Sequence, residues 1–198
     1  MKERPVGGPA RNLVTVALIG LIFTVVVGWD GTGYAADSPG APEPDPAAMN
    51  GDTQKRAVHL YFGDASGQQL IAEQRVLMPA GDDVSLSREL IEALIEGPRR
   101  AGTRTLPKGA VLRALYILSD GFAGNGMAVV DFDAESFRDH PGGVEAEMLS
   151  IYSLVNTLAF NIDSIRQVMI LIGGREAATL AGHVDLSRPF RADMMWVR

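Results

Sequence analysis

From Leu13 to Trp29 the chain carries no charged side chain, and no other feature limits its possible folds so strongly. Seventeen residues in a helix span about 25 Å, just short of a hydrocarbon core of about 30 Å. Lys2, Arg4 and Arg11 precede the stretch and Asp30 follows it, which argues against a buried soluble helix. The run exceeds the usual signal-peptide core of about 7–15 residues, and Trp29 suits a membrane interface, so residues 1–36 read as an uncleaved anchor. The alternative is a signal removed before Ala36, because Gly33 and Ala35 supply the small residues such a cut requires. In both readings the basic N-terminus stays cytoplasmic and the chain beyond Asp30 is exported.

Residues 37–56 cannot bury enough surface to fold. Pro39, Pro42, Pro44 and Pro46 stand among Gly, Ala, Ser and acidic residues, with Met49 the one sizeable apolar side chain. Extended at about 3.1 Å per residue, this spacer reaches about 60 Å. Residues 57–191 remain for a single domain, large enough to hold a core without cross-links. The chain contains no cysteine, which excludes disulfides, thiolate metal sites, thiol catalysis and a lipidated cysteine anchor. A formal charge of −6 speaks against nucleic-acid binding.

Within the domain, residues 57–62 and 70–78 alternate around a loop of turn formers and predict a hairpin. Leu86, Leu90 and Leu94, with Ile91 and Ile95 beside them, predict an amphipathic helix. Asp82 or Asp83 can cap its start, and Gly97-Pro98 ends it, the glycine supplying a left-handed position. A second hairpin follows over 111–118 and 127–133. Val144, Met148, Ile151, Tyr152, Val155 and Leu158 keep a 3.6-residue period and predict a second helix. Residues 165–172 predict a strand, 176–180 a short return strand and 182–189 a loop. This order predicts an α+β domain with both helices on one face of a mostly antiparallel sheet.

Residues 58–189 resemble the GerMN domain of spore-germination and sporulation lipoproteins. The resemblance is carried by Leu60-Tyr61-Phe62 followed by Asp64, by Glu96-Gly97-Pro98, by Leu106-Pro107-Lys108-Gly109 and by Val130-Asp131-Phe132. It continues through Tyr152-Ser153-Leu154-Val155-Asn156-Thr157-Leu158, Gly173-Gly174 and Gly182-His183-Val184-Asp185-Leu186-Ser187. It implies an exported, membrane-tethered domain without catalysis, acting by binding or assembly in the cell envelope, with a fold like the ring-building modules of secretion and sporulation complexes. Many members are tethered by a lipidated cysteine. This chain has none, so the apolar segment takes that role, and sporulation does not carry over automatically.

Several residues invite a chemical reading. His183, Asp185 and Ser187 suggest a triad, but Ser66 lies in a hairpin loop rather than a GxSxG elbow, and no rigid element presents a nucleophile. His59, His140 and His183 show no metal-binding spacing, so neither metal nor cofactor is expected. Asp185 reads instead as a residue folded back on its own loop. Asn156 borders the apolar stripe of the second helix and should hydrogen-bond a strand end or the His183 loop, with a ligand contact as the alternative. Asp131 and Asp133 share one strand face while Phe132 points to the core, and a solvated strand end is the expected role. Gly121 to Gly126 joins two strands and lacks the helix and the Lys-Ser/Thr of a phosphate loop. Arg99, Arg100, Arg104, Lys108 and Arg113 concentrate positive charge and are expected either to be solvated or to meet an anionic partner. The expectation is a non-enzymatic envelope module contacting the membrane through its N-terminal helix and a protein, a wall component or further copies of itself. An envelope hydrolase built on the His183/Asp185 region and a soluble periplasmic binding protein are the alternatives.

Overall fold

Asp64 shapes the start of the domain. Its carboxylate accepts the backbone N–H of Ser66 at 3.1 Å and of Gln68 at 3.2 Å, folding residues 64–69 into a turn. The turn sets β1 (Arg56–Gly63) antiparallel to β2 (Leu70–Leu77), with Leu60 opposite Glu73. The computed structural model describes residues 55–79, 81–119 and 125–198. The proposed membrane segment Leu13–Trp29 and nearly all of the spacer lie outside these residues. Among the described residues no helix is long and apolar enough to cross a membrane.

Helix α1 (Asp83–Glu96) starts at Asp82, whose side chain accepts from Ser85 N at 2.7 Å. Asp83 does a different job, accepting from the Ser164 hydroxyl at 2.5 Å. The helix ends at Gly97, whose φ is +94° as a glycine stop requires, but whose ψ of 179° is extended. Pro98 accounts for this, because its ring disfavours helical ψ in the residue before it. The Arg104 guanidinium lies against Gly97, so a Cβ there would come within 2.6 Å of it.

The second half of the domain contains β3 (Leu112–Leu118), β4 (Gly126–Phe132), α2 (Val144–Asn161), β5 (Ile165–Ile172) and the short β6 (Arg175–Glu176). These strands form a four-stranded sheet in the order β3-β4-β5-β6, antiparallel except where β4 and β5 run parallel. The parallel pair follows from α2, which crosses over between the two strands. Alternation puts Leu115, Ala128, Val130, Phe132, Val168 and Ile170 on the face that meets the core, together with Leu90 and Leu94 of α1 and Leu154 and Leu158 of α2. The fold is α+β and mostly antiparallel as the pattern predicts.

The strands divide into two sheets rather than one, and the far edge of β1 shows why. Residues 59, 61 and 63 point their backbone groups away from β2, and among the described residues no further strand of a sheet meets them. Helix α2 does. Asn161 accepts from His59 N at 2.9 Å and donates to His59 O at 2.7 Å. Thr157 accepts from Tyr61 N at 3.2 Å, and the Ser153 hydroxyl donates to Tyr61 O at 2.5 Å. Gly63 exchanges two backbone bonds with Thr103. Ser153, Thr157 and Asn161 recur every fourth residue and so form one ridge of the helix. A polar ridge therefore replaces a neighbouring strand along β1 and closes that edge to the second sheet. Thr157→Val, nearly isosteric, is expected to leave the Tyr61 N–H buried and unpaired at a cost of about 1–3 kcal/mol, whereas Thr157→Ser should retain most of the stability. Urea midpoints at unchanged slope would read this difference.

The packed chain continues beyond Arg191. Phe190 exchanges two backbone bonds of 2.8 Å with Val168, Trp196 stacks on Tyr152 with centroids 5.3 Å apart, and Arg198 N donates to Leu70 O. This strap runs along α2 and ties the four-stranded sheet to the hairpin.

Candidate functional site

Glu147 lies in the first turn of α2, three residues after Val144 and four before Ile151, and is fully buried. Its carboxylate accepts the backbone N–H groups of His183 at 3.1 Å and Val184 at 2.9 Å, and it meets the His183 ring Nδ1 at 2.8 Å. Burial alone would push this carboxyl up, but the bonds from Val184, His183 and Ala181 outweigh it and hold the group below the usual carboxylate range. His183 thus belongs to an anchored loop whose turn is made by Gly182 at φ +116°. Asp185 does not join it. Its oxygens accept from Ser187 N at 2.8 Å and from the Ser187 hydroxyl at 3.0 Å, the turned-back arrangement expected of such a loop.

The loop between α1 and β3 is held by a second buried acid. Glu73 meets Arg75 at 2.6 Å, with both side chains about 95% buried, and accepts the N–H groups of Arg99 and Arg100. Burial would raise the Glu73 carboxyl, but Arg75 and these two amides lower it further. Arg75 reaches onward to Gly97 O at 2.5 Å and lies over the Phe62 ring. The predicted basic cluster is therefore partly consumed by the fold. Arg99 pairs with Glu96 at 3.1 Å, Arg104 donates to Ile95 O at the end of α1, and Arg113 stands 4.0 Å from Asp131.

Arg104 and Lys108 line a cavity of about 280 Å³ together with Pro107, Asp139, His140 and Ser150. Neither His183, Asp185 nor Asp131 lines it. His140 and Ser150 look like a catalytic pair, with Nε2 and Oγ 2.8 Å apart, but the proton is on the wrong side. Gly142 N donates to His140 Nδ1 at 3.0 Å, which leaves the Nε2 side to carry the ring's proton and donate to the serine, and burial lowers the ring's pKa against the pull of Glu147. A general base must accept there. The Ser150 hydroxyl in turn faces Thr105 O and Ala146 O.

The remaining motif residues serve packing. Phe62 and Phe132 are core residues, Phe132 edge-on to Phe137 at 5.3 Å, and Tyr61 contacts Phe160. Asp131 is only 5% exposed and accepts Gly174 N at 2.8 Å, which corrects the expectation of a solvated strand end, since the β5–β6 turn folds over it. Asp133 accepts Glu135 N instead. Pro107 O takes the N–H of Ala110 in the turn containing Gly109. Asn156 is structural as expected, but its partner is the strap: its amide donates to Asp193 O and accepts from Asp193 N, both at 2.9 Å. Among the described residues no cluster of His, Asp and Glu could hold a metal ion. The candidate loop 121–124 lies outside the described residues.

Asp64, Glu73, Glu147 and Asp185 all have carboxyls lowered by the bonds they accept. As pH falls, the unfolded chain takes up these protons first, so stability is full at neutral pH and is lost from about pH 4 downward. Thermal melts between pH 7 and 3 should show this decline, and a flat profile would contradict it.

Nothing among curated proteins matches the chain. Its structure is similar to the tandem GerMN domains of the sporulation protein GerM from Bacillus subtilis, with 21% identity and a TM-score of 0.55 over 70% of this chain and 46% of that one. It is similar also to the first GerMN domain of the same protein, with 22% identity and a TM-score of 0.50 over 70% of this chain and 96% of that one. A candidate lipoprotein from Clostridium perfringens matches with 26% identity and a TM-score of 0.49 over 72% of this chain and 91% of its own. The two Bacillus likenesses show the fold. The family model described as "Germane: Sporulation and spore germination" matches residues 59–178, more than half of the sequence, and the chain belongs to that family.

Proposed function

We propose that this protein is an exported, membrane-tethered module of the cell envelope that works by binding or assembly and catalyses no reaction. One observation carries the non-catalytic part: the buried acids, together with Asp185 and the His140–Ser150 pair, that could do chemistry are spent on holding loops. Glu147 fastens the 181–184 loop, Glu73 the 97–100 loop and Asp185 its own turn, while the His140–Ser150 pair has the polarity of a structural link. Among the described residues no buried polar side-chain atom is left without a partner. The apolar segment from Leu13 to Trp29 supports the tether, and family membership supports a role in the envelope.

The mass of the mature N-terminus tests the tether: the reading expects an intact Met1 end in the membrane fraction, and a soluble chain starting at Ala36 would replace it with a free periplasmic protein. Cross-linking in intact cells tests the binding role. Adducts with an envelope protein, wall fragments or a second copy are expected, and recovery of free monomer alone would remove that part of the reading.

A further inference from the structure

We propose that the ridge formed by Phe160, Arg166, Arg191, Met194 and Met195 docks the domain onto an anionic lipid bilayer. The proposal rests on the membrane-tethered reading above and adds a second, reversible contact to it. The ridge follows from how the strap lies on α2. Arg191 and Ala192 sit beside Phe160, Asp193 is bound to Asn156 one turn back, and Trp196 stacks on Tyr152 a further turn back. Trp196 therefore faces the helix, while the two methionines before it face outward, Met194 at 52% and Met195 at 87% exposure, with Phe160 at 46%.

Arg166, Arg191 and Phe160 share an open groove of about 500 Å³. Arg166 donates to Ile165 O, and among the described residues neither arginine meets a carboxylate, unlike Arg99 and Arg138, which pair with Glu96 and Glu135. Asp193, the acid of this stretch, is half-buried and its carboxylate accepts from Met195 N at 2.8 Å rather than from either arginine; Asp163 is exposed on the turn before β5. In a chain of net charge −6, an anionic surface repels most of the protein, so two uncompensated guanidiniums beside exposed apolar groups fix which side approaches it. Guanidinium groups bind phosphate oxygens through paired donors, and thioethers adapt to irregular apolar surroundings. Apolar side chains flanked by cations are the composition of interfacial lipid contacts. Arg191, Met194 and Met195 lie beyond residues 59–178, so the strap adds this half of the ridge to Phe160 and Arg166 of the family-matched region.

The absence of cysteine makes the test direct. Met195→Cys in the full chain, labelled with an environment-sensitive fluorophore, is mixed with vesicles of phosphatidylcholine alone or with phosphatidylglycerol added. A blue shift and quenching by nitroxide-labelled lipid are expected with phosphatidylglycerol only, lost at high salt, while a probe at Glu92→Cys on α1 stays unshifted. Arg166→Glu with Arg191→Glu should lower the phosphatidylglycerol-dependent contact at least about tenfold. No shift with phosphatidylglycerol, or a shift that survives both charge reversals, would overturn the proposal. Flotation with phosphatidylcholine vesicles reports the N-terminal segment by itself, so failure of the tether and failure of the ridge are read separately.

Discussion

Glu73→Ala is expected to destabilise the domain by about 3 kcal/mol, because it leaves the buried Arg75 guanidinium without its one buried carboxylate partner. The reasoning is one of asymmetry. Placing two charges in the interior gains little, but removing one leaves the other with its full desolvation penalty. Arg75 retains Gly97 O and Ala93 O, which carry no charge, and the Glu96 carboxylate at 3.5 Å, which is half exposed, shared with Arg99 and so only a weak replacement. The double replacement Glu73→Leu with Arg75→Met removes both charges and should recover much of the loss. Recovery should be incomplete, since the N–H groups of Arg99 and Arg100 lose their acceptor at about 1–3 kcal/mol each where they stay dry. Urea unfolding of the single and double variants checks this, and a single-variant loss below about 1 kcal/mol would show that Arg75 reaches water after all.

The second large effect is expected at Glu147. Glu147→Ala removes the acceptor for the N–H groups of His183 and Val184 from a fully buried position. The expected cost is about 2–5 kcal/mol, which lowers the melting temperature by about 10 °C for a domain of this size. Unlike the Glu73 variant, this one should act locally before it acts globally. Amide exchange at His183 and Val184 should accelerate far more than exchange in β4 or β5, because the loop can detach while the sheet persists. His183→Ala is the comparison: the His183 side chain is half exposed, so its loss should cost much less than loss of the acid.

The secondary structure was largely legible because periodicity reports it. The amphipathic stripe of α1, the longer one of α2 and the alternation in β1 to β5 appear where the apolar spacing puts them, whereas the return strand expected over 176–180 is only the two-residue β6 at Arg175–Glu176. What periodicity could not report is which polar side chains go inside. Glu147 falls within the apolar stripe of α2, and Glu73 and Arg75 share a strand face with Ile71 and Leu77. Those positions were the available signal, but a charge on a core face looks like an error of phase until its partners, tens of residues away, are known. The same limit hid the ridge of Ser153, Thr157 and Asn161. A polar row on a helix ordinarily marks the solvent side, and only the edge of β1 turns it inward. The basic cluster was misleading in the opposite direction, because Arg99 and Arg104 meet acceptors that the folded turn supplies.

The pairing of β1 with α2 also has a consequence in time. His59 and Asn161 are separated by 102 residues and Tyr61 and Ser153 by 92, so the first strand to emerge during synthesis waits for nearly the whole domain before its outer edge is satisfied. Such long-range closure slows folding and leaves an open strand edge available to other chains meanwhile. A chain exported as it is made, its N-terminus held back in the cytoplasm, would present that hairpin on the far side before α2 follows. The moment at which α2 arrives, rather than the formation of the hairpin itself, would then set when the domain becomes safe from misassociation.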